Sequence, residues 1–183
     1  MKFDHYLLRP VESNDADDLF ALIETNRKRL EDFFAGTVSK NKTIEETRAF
    51  IPDIIDKAGK RTYFPFVIID TTNDRIIGYI DIKNIDWSIP KAEIGYFIDK
   101  TYENRGVTSR AVAKIIAYCF TELQLKKIFL RTHESNKASL RIAEKNGFKP
   151  EGLIRSDYKM TNGTIIDVIY YGLLKEEFGS SSK

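Results

Sequence analysis

The segment from Glu103 to Ser109 joins an alternating apolar stretch to an amphipathic one, and its residues could form an anion site. A helix that begins here has backbone N–H groups without a partner in the helix, at the positive end of its dipole. Gly106 removes the side chain that would keep an anion away, and Arg105 adds a positive charge. The segment therefore predicts a phosphate or pyrophosphate seat. A purely structural turn is the alternative, because one glycine at a strand-to-helix turn is common.

Two regular elements flank this segment and would position it. Residues 92–99 alternate, with Ile94, Tyr96 and Ile98 pointing one way and the residues between them the other, which predicts a strand. After the turn, apolar residues recur at steps of three and one, which places them on one helical face. They are Ala111, Val112, Ile115, Ile116, Cys119, Phe120 and Leu123. The predicted unit is a strand, a tight turn and a helix.

The length and composition narrow the class of protein. The chain has 183 residues, and we predict a single domain over residues 1–178 with a disordered tail over residues 179–183. The formal net charge of +2 gives no reason to expect a nucleic-acid partner. Neither a membrane span of ~20 apolar residues nor a signal peptide is recognisable, so no membrane partner is expected.

Cysteine usage indicates the compartment. The lone Cys119 cannot form an internal disulfide, which favours a reducing cytoplasm. Because it lies on the apolar helix face, we expect a buried, inert thiol rather than a nucleophile. Neither histidine is close to it in sequence and no metal-ligand spacing is present, so no metal is expected.

Hydrophobic patterns and turn signals predict the element order β-α-α-β-β-β-α-β-α-β-β. The predicted strands cover residues 3–9, 63–70, 75–83, 92–99, 127–132, 148–158 and 164–174. The predicted helices begin at a cap formed by Ser13 or Asn14, at a capping box opened by Thr43, at Arg105 and at Ser135. Three consecutive hairpin-like strands, and no glycine-rich turn after the first strand, argue against a doubly wound dinucleotide-binding sheet.

The chain resembles the GNAT N-acetyltransferases. Glu103-Asn104-Arg105-Gly106-Val107-Thr108 is similar to their acyl-CoA motif, Gln/Arg-x-x-Gly-x-Gly/Ala, with departures at Glu103 and Thr108. Further stretches resemble the RimJ/RimL branch over almost the whole chain: Leu8-Arg9-Pro10, Asn26-Arg27, Ala92-Glu93-Ile94-Gly95-Tyr96, Asn136-x-x-Ser139, Glu144-Lys145-Asn146-Gly147-Phe148 and Tyr170-Tyr171-x-Leu173-Leu174. The element order is also that of this family. The resemblance implies an α/β (α+β) fold of the GNAT class, with a mixed, mostly antiparallel sheet flanked by helices.

The same resemblance implies the reaction. Members of the RimJ/RimL branch acetylate N-terminal amines of ribosomal proteins. Within the branch, the chain looks closest to bacterial proteins classed as ribosomal-protein-serine acetyltransferases, whose substrates are inferred. The implied cosubstrate is acetyl-CoA, and the implied acceptor is a primary amine, most simply a protein N-terminus, which attacks the thioester directly in a ternary complex.

The resemblance further implies which residues hold the cosubstrate. The oxyanion donor is a backbone N–H near the end of the central strand, which corresponds here to Phe97, Ile98 or Asp99. The pantetheine arm lies along Ile98 like an added strand. The pyrophosphate lies against the N–H groups of Arg105, Gly106, Val107, Thr108 and Ser109. Asn136 binds the pantetheine arm, or else it only caps a helix.

Acid and base candidates follow from the same alignment of motifs. Many family members carry a tyrosine where this chain has Ala143, so Ser139 becomes the candidate acid, with a solvent-facing helix serine as the alternative. Glu93 matches the catalytic glutamate of histone-acetylating members and is the candidate base, acting through water, with a structural glutamate as the alternative. Asp157 and Tyr158 are further candidates, because they lie where RimL-like enzymes place a catalytic glutamate.

Several alternatives remain open from the sequence. His133 is a bystander or a second base, and aromatics such as Tyr96, Trp87 and Tyr102 line an acceptor groove or belong to the core. The acceptor is a protein N-terminus or a small amine, meaning a polyamine, an aminoglycoside or an amino acid derivative. A third possibility is a domain that binds acetyl-CoA without turnover. Edge strands would permit a homodimer.

Overall fold

A computed structural model describes residues 1–178. The strands are β1 (Lys2–Phe3), β2 (Tyr6–Pro10), β3 (Phe64–Asp70), β4 (Arg75–Asp86), β5 (Lys91–Ile98), β6 (Lys127–Thr132), β7 (Lys149–Lys159) and β8 (Ile165–Leu174). The helices are α1 (Ala16–Leu30), α2 (Ala35–Ser39), α3 (Ile44–Gly59), α4 (Val107–Thr121), α5 (Lys137–Lys145) and α6 (Lys175–Phe178). Residues 179–183, for which a disordered tail is predicted, lie outside the described residues.

The described strands form one sheet in the order β1-β2-β3-β4-β5-β6-β8-β7. All neighbours are antiparallel except β5 and β6, which are parallel. A parallel pair needs a crossover connection, and α4 supplies it. The prediction of a mixed, mostly antiparallel sheet flanked by helices is confirmed.

The structure differs locally from the predicted elements, and the short helix α6 is one element that was not predicted. The first predicted strand is split, because Asp4 turns the chain at φ +46° and β1 then pairs back on β2. The short helix α2 was not predicted, since its five residues show no apolar periodicity. A tertiary contact supports it instead, in which the N–H of Ala35 donates to the hydroxyl of Tyr158 at 3.0 Å.

The predicted cap of the first long helix is wrong. Ser13 and Asn14 lie in a 3-10 turn that precedes α1, and no side chain caps α1. The carboxylate of Asp15 instead accepts two hydrogen bonds from Arg9, both at 2.7 Å. A bidentate ion pair with Arg9 of β2, six residues earlier, thus engages Asp15, which also accepts the N–H of Glu12 at 2.8 Å.

The helices divide between the two faces of the sheet. Helices α1 and α3 pack on one face, called the α1 face, and α4 and α5 pack on the other, called the α4 face. The predicted alternation of β5 is confirmed. Ile94, Tyr96 and Ile98 belong to the apolar cluster of the α4 face, and Phe97 to that of the α1 face.

Two sequence features have simple structural outcomes. Cys119 is a free cysteine buried in the α4-face cluster, where burial raises the pKa of its thiol to about 12. The thiol therefore keeps its proton and stays a poor nucleophile. Within residues 1–178, no helix has both the length and the apolar character that crossing a membrane requires.

Candidate active site

A gap opens in the sheet between its two parallel strands. Strands β5 and β6 pair only over residues 91–93 of β5, whereas β5 stays paired with β4 as far as Ile98. Asp99 donates its N–H to the carbonyl of Ile77 at 2.7 Å. Because amide directions alternate along a strand, the N–H of Phe97 also faces β4, while those of Tyr96 and Ile98 face the gap. Backbone donors therefore border the gap.

The directions of the backbone N–H groups distinguish between the three predicted oxyanion donors. Ile98 has its N–H directed into the gap, whereas the N–H of Asp99 is already bonded and that of Phe97 faces β4. Tyr96 offers a second backbone N–H on the same edge, which the sequence analysis did not consider. The carbonyl of Ile98 accepts a hydrogen bond from Arg29 of α1, which closes that end of the edge.

A cleft of about 850 Å³ passes through the gap and is lined by residues from both faces of the sheet. The part on the α4 face is called the α4 half, and residues from the start of α4 and from α5 line it, including Gly106, Thr108, Asn136 and Ser139. The part on the α1 face is called the α1 half, and charged and aromatic side chains line it, including Phe34, Tyr63, Asp81, Lys83, Glu93, Arg131 and Tyr158. The cleft can therefore bring two ligands together from opposite sides.

The start of α4 has the geometry of the predicted anion seat. Gly106 precedes the helix at φ +73°, and Asn104 lies at φ +59°. The first bond of the helix runs from the N–H of Arg110 to the carbonyl of Gly106. Within residues 1–178, the N–H groups of Val107, Thr108 and Ser109 have no hydrogen-bond acceptor. They remain available to a ligand.

The side chains around the predicted anion seat provide positive charge, although the motif contains Glu103. The carboxylate of Glu103 forms an ion pair with Arg29, so its negative charge is balanced. The guanidinium of Arg105 lies over the ring of Tyr102, 5.1 Å from the ring centre. Two further cations, from α5, line this half of the cleft: Arg141 and Lys145.

The two hydroxyl residues of the predicted seat are both buried. Ser109 accepts a hydrogen bond on its hydroxyl from the side-chain amide of Asn146 at 3.1 Å. That hydroxyl is engaged with the end of α5, whereas the backbone N–H groups at this helix start have no acceptor among the described residues.

The start of α5 places the predicted pantetheine ligand beside the predicted acid. The side-chain oxygen of Asn136 accepts the N–H of Ser139 at 3.1 Å, which is a helix cap. Its side-chain N–H₂ group takes no part in this cap, and Asn136 is one of the residues that line the cleft. Asn136 therefore caps α5 through its side-chain oxygen, and its side-chain N–H₂ group can still donate to a ligand.

The hydroxyl of Ser139 lies 3.1 Å from the hydroxyl of Tyr96. The sequence left Tyr96 either in an acceptor groove or in the core, and its ring is buried in the apolar cluster of the α4 face, as the core alternative predicts. Burial raises the pKa of Tyr96 to about 12, so the phenol keeps its proton and can donate it. The alternation of β5 already placed Tyr96 opposite Glu93 and was the available signal.

Glu93 is buried in the α1 half and fully engaged. Both carboxylate oxygens accept from Arg131, at 3.2 and 3.0 Å, and one also accepts from Asn84 at 2.7 Å. Arg131 also donates to Asp157 at 3.1 Å, so one guanidinium joins two of the predicted base candidates. Tyr170 donates to the same oxygen of Asp157. The network holds both carboxylates in fixed positions.

The charge on Arg131 is secured by these partners. Burial opposes the charged form, but the hydrogen bonds and negative charges of Glu93 and Asp157 raise the pKa of Arg131 above its ordinary value. A permanent cation thus faces Glu93. This favours a carboxylate that positions its neighbours over one that collects a proton from a substrate.

A second ion pair in the α1 half was missed from the sequence. Asp81 of β4 is buried, and its carboxylate lies 3.1 Å from the ammonium of Lys83. The hydroxyl of Tyr63 donates to Asp81 at 2.8 Å and also lies 2.8 Å from the hydroxyl of Tyr79. Burial raises the pKa of Tyr63 well above its ordinary value, and the charge of Asp81 raises it further. Asp81 lies in a strand without a recognisable motif, so no local signal marked it.

The remaining candidates lie at the margins of the cleft. Tyr158 lines the α1 half, but its hydroxyl accepts the N–H of Ala35 and so supports α2. The ring of His133 also lines the cleft, and its Nδ1 is paired with Ser135 at 2.8 Å. Trp87 lies away from the cleft, with its indole N–H on the carbonyl of Arg61. In the part of the chain that the structure describes, no three His, Cys, Asp or Glu side chains are grouped to hold a metal ion.

Comparison with known proteins identifies close relatives. Residues 5–149 match the family model described as an acetyltransferase (GNAT) domain. A protein of Bacillus subtilis (strain 168), named "Putative ribosomal N-acetyltransferase YdaF", is 36% identical over 180 residues, covering 96% of this chain and 94% of that protein.

Solved structures share the fold. The ribosomal-protein-S5-alanine acetyltransferase from Vibrio fischeri matches with a TM-score of 0.87 at 23% identity, covering 97% of both chains. A structure described as RimL, the ribosomal L7/L12 alpha-N-protein acetyltransferase in complex with coenzyme A, matches with a TM-score of 0.86 at 20% identity, covering 94% of this chain and 95% of that one.

Proposed function

Because this chain belongs to the acetyltransferase (GNAT) domain family and is an N-acetyltransferase that uses acetyl-CoA, we propose that it acetylates the N-terminal amine of a protein by direct attack within a ternary complex. The observation that carries the proposal is the cleft through the sheet. An anion seat of backbone N–H groups lies at its α4 half, and a half lined by charged side chains lies on the opposite face.

The α4 half fits the cosubstrate. The N–H groups at the start of α4 suit a diphosphate, and Gly106 keeps the approach open, since a Cβ there would lie 2.8 Å from the guanidinium of Arg110. The free edge of β5 offers amide groups to the amide-containing arm of coenzyme A, as an added strand would use them. The bound cosubstrate supplies an acetyl group activated as a thioester.

The residues at the gap have separate tasks in this proposal. The N–H groups of Ile98 and Tyr96 stabilise negative charge on the acetyl oxygen. The paired hydroxyls of Ser139 and Tyr96 hold a proton beside the gap, which suits protonation of a leaving thiolate. Glu93 and Arg131 fix the shape of the α1 half from which the amine arrives.

The charges of the α1 half favour a protein N-terminus over a polyamine. Both carboxylates that line this half, Asp81 and Glu93, are already in ion pairs with internal cations. A polyamine needs further carboxylates for its other ammonium groups, and a lining cation, Lys40, would repel it. An N-terminal amine has a pKa of about 8, against about 10.4 for a lysine-like amine, so more of it is neutral and reactive near pH 7. The relative named as a ribosomal N-acetyltransferase supports the same acceptor class.

A thiol-release assay with acetyl-CoA and matched amines tests the proposal. A hexapeptide that begins with serine is compared with the same peptide carrying a blocked N-terminus, and with spermidine and an aminoglycoside. We expect release with the free peptide and none with the blocked one. Release only with spermidine or the aminoglycoside would move the acceptor to small amines. Tight CoA binding by calorimetry without release from any amine would indicate a binding domain.

A further inference from the structure

Asp81 has no role in the function described so far, although it occupies the centre of the α1 half. It lies on β4 opposite Gly95 of β5, the strand that borders the gap. Only 3% of the residue is exposed, so its carboxylate is almost fully withdrawn from bulk water. A buried carboxylate on a cleft wall is costly unless partners stabilise it or a ligand uses it.

Gly95 makes room for this carboxylate above the strand. A Cβ at Gly95 would lie 2.6 Å from Oδ1 of Asp81 and 2.7 Å from Nζ of Lys83. The carboxylate oxygen of Asp81 and the ammonium nitrogen of Lys83 therefore occupy the space that a side chain at residue 95 would fill. Tyr96, the next residue of β5, directs its N–H into the gap, so this ion pair lies one residue away from the edge where the thioester is expected.

The two carboxylates of the α1 half differ in how well they are satisfied. The oxygens of Glu93 accept three hydrogen bonds between them. In Asp81, Oδ2 accepts hydrogen bonds from Tyr63 at 2.8 Å and from Lys83 at 3.4 Å, but Oδ1 accepts none from any described residue. Its neighbour is the ammonium of Lys83 at 3.1 Å, in contact as an ion pair but poorly aligned for a hydrogen bond. Oδ1 is therefore a buried acceptor that still lacks a well-placed donor.

We propose that Oδ1 of Asp81 is the seat of the acceptor's ammonium group and its first proton acceptor, and that Lys83 occupies this seat as an internal cation until the acceptor arrives. The proposal rests on the proposed acetyl transfer to a primary amine. Lys83 has a flexible stem and a second anion nearby, because Glu93 lies directly across from it on β5. Its ammonium can move to Glu93 when a substrate ammonium takes its place.

The acceptor nitrogen loses two protons in this step, and each has a destination. The arriving ammonium gives one proton to Oδ1 of Asp81 and becomes a neutral amine. The nitrogen lone pair forms the C–N bond with the thioester carbonyl, and the electron pair of the breaking C–S bond goes to sulfur. The second proton of the nitrogen neutralises the thiolate through the hydroxyls of Tyr96 and Ser139. Asp81 returns its proton to solvent, so each turnover releases one proton.

The seat also limits the acceptor. Tyr63, which precedes β3, and Lys83 of β4 contact Asp81, and Tyr79 of β4 bonds to Tyr63. Glu93 of β5 lies across from Lys83 and is paired with Arg131 of β6. Oδ1 of Asp81 lacks a hydrogen-bond donor, and of the two neighbouring cations only Arg131 is held in place by two carboxylates. The seat therefore suits a single ammonium group with no second positive charge close to it, as in an N-terminal amine.

Steady-state kinetics on three variants tests the assignment, with saturating acetyl-CoA and the serine-starting hexapeptide as acceptor. Asp81→Asn should lower kcat/KM at least ~100-fold and remove the acid limb of its pH profile, while CoA affinity stays within about twofold. Asp81→Glu should recover part of the rate. Lys83→Met should lower the KM for the peptide by about threefold or more, because the competing internal ammonium is gone.

Each outcome decides a different question. Wild-type protein that releases no thiol with any amine overturns the proposed function and this inference with it. An active wild type with an Asp81→Asn variant inside about threefold of its kcat/KM overturns the inference alone. A raised peptide KM in Lys83→Met would show that Lys83 supports Asp81 rather than competing for it. Unchanged CoA affinity in each variant shows that the protein is folded.

Discussion

The α4 half of the cleft presents mainly backbone to its ligand, whereas the α1 half presents charged side chains. The seat at Gly106 consists of N–H groups from consecutive residues at one helix start. The α1 half is lined by alternating charges drawn from three strands: Asp81, Lys83, Glu93 and Arg131. Asp157 of β7 pairs with Arg131 from outside this lining. In the proposed function, the first half holds the cosubstrate, which is common to every reaction cycle, and the second half recognises the acceptor.

This difference explains why the chain can depart from the family motif and keep its geometry. Glu103 is neutralised by Arg29, and Thr108 contributes its N–H regardless of its side chain. Backbone donors do not change with residue type, so a backbone seat tolerates substitution. In the α1 half, any charge change leaves a buried partner unmatched, so substitutions there should alter stability or acceptor choice.

The largest expected effect is on the backbone seat. Gly106→Asp places a carboxylate among the free N–H groups, where it repels the diphosphate. We expect CoA affinity to fall at least ~100-fold, or about 2.7 kcal/mol, by calorimetry. Gly106→Asn is the matched control, because both side chains meet the same backbone strain at φ +73° and only one is charged. Equal losses of CoA affinity in the two variants would show that the added side chain, and not its charge, causes the effect. That result would contradict the contrast drawn between the two halves.

The second effect concerns the charge row of the α1 half. Glu93→Gln removes the more buried partner of Arg131 and should lower the free energy of unfolding by about 2–3 kcal/mol in urea titrations. Asp157→Asn removes the more exposed partner of the same guanidinium, 31% exposed against 7% for Glu93, and should cost less than about 1 kcal/mol. A larger loss of stability in Asp157→Asn than in Glu93→Gln would contradict this order of burial.

The pH–rate profile of Glu93→Gln should keep its wild-type shape, because the proposal makes Asp81, not Glu93, the proton acceptor.

The third effect tests the proton donor of the α4 half. Tyr96→Phe should lower kcat by about tenfold, with Ser139 retaining part of the function, and leave CoA affinity within about twofold. Tyr171→Phe is the control, since it also removes the hydroxyl of a buried tyrosine in the same apolar cluster but lies outside the cleft. Similar kcat losses in both variants would indicate a packing effect.

Tyr96 also predicts a pH dependence of stability. Its folded pKa of about 12 lies above the ordinary value of 10, so the folded state holds a proton that the unfolded state loses first. The resulting stabilisation is complete below pH 10 and is lost as the pH rises toward 12. Wild-type protein should therefore lose stability more steeply than Tyr96→Phe between pH 10 and 12. Parallel unfolding curves across that range would contradict the assignment.

The smallest effect separates the two roles of Asn136. Asn136→Ala removes both the cap and the side-chain N–H₂ group, and should lower stability by about 1 kcal/mol and CoA affinity about threefold. Asn136→Ser keeps a good cap but lacks the amide donors, so stability should return while affinity stays low. Recovery of both quantities in Asn136→Ser would leave the residue as a cap only.

Most of the local structure followed from the sequence because its causes are local. Thr43 caps α3 as its capping box predicts, with its side chain accepting the N–H of Glu46. Strand β6 has its predicted bounds, and Gly147 lies at φ +82° after α5. The errors occurred where a contact with another element intervened, as when the hydroxyl of Tyr158 accepts the N–H of Ala35 and supports α2.

The sequence alone was enough to indicate the order of elements, the family and a candidate anion seat, because periodicity, turn chemistry and a seven-residue backbone segment act over short distances. Only the tertiary structure decided which amides face the gap, that Tyr96 pairs with Ser139, and that Asp81 and Glu93 differ in their partners. Strand register and side-chain ion pairs join residues tens of positions apart. Their energies therefore depend on packing that no local pattern specifies.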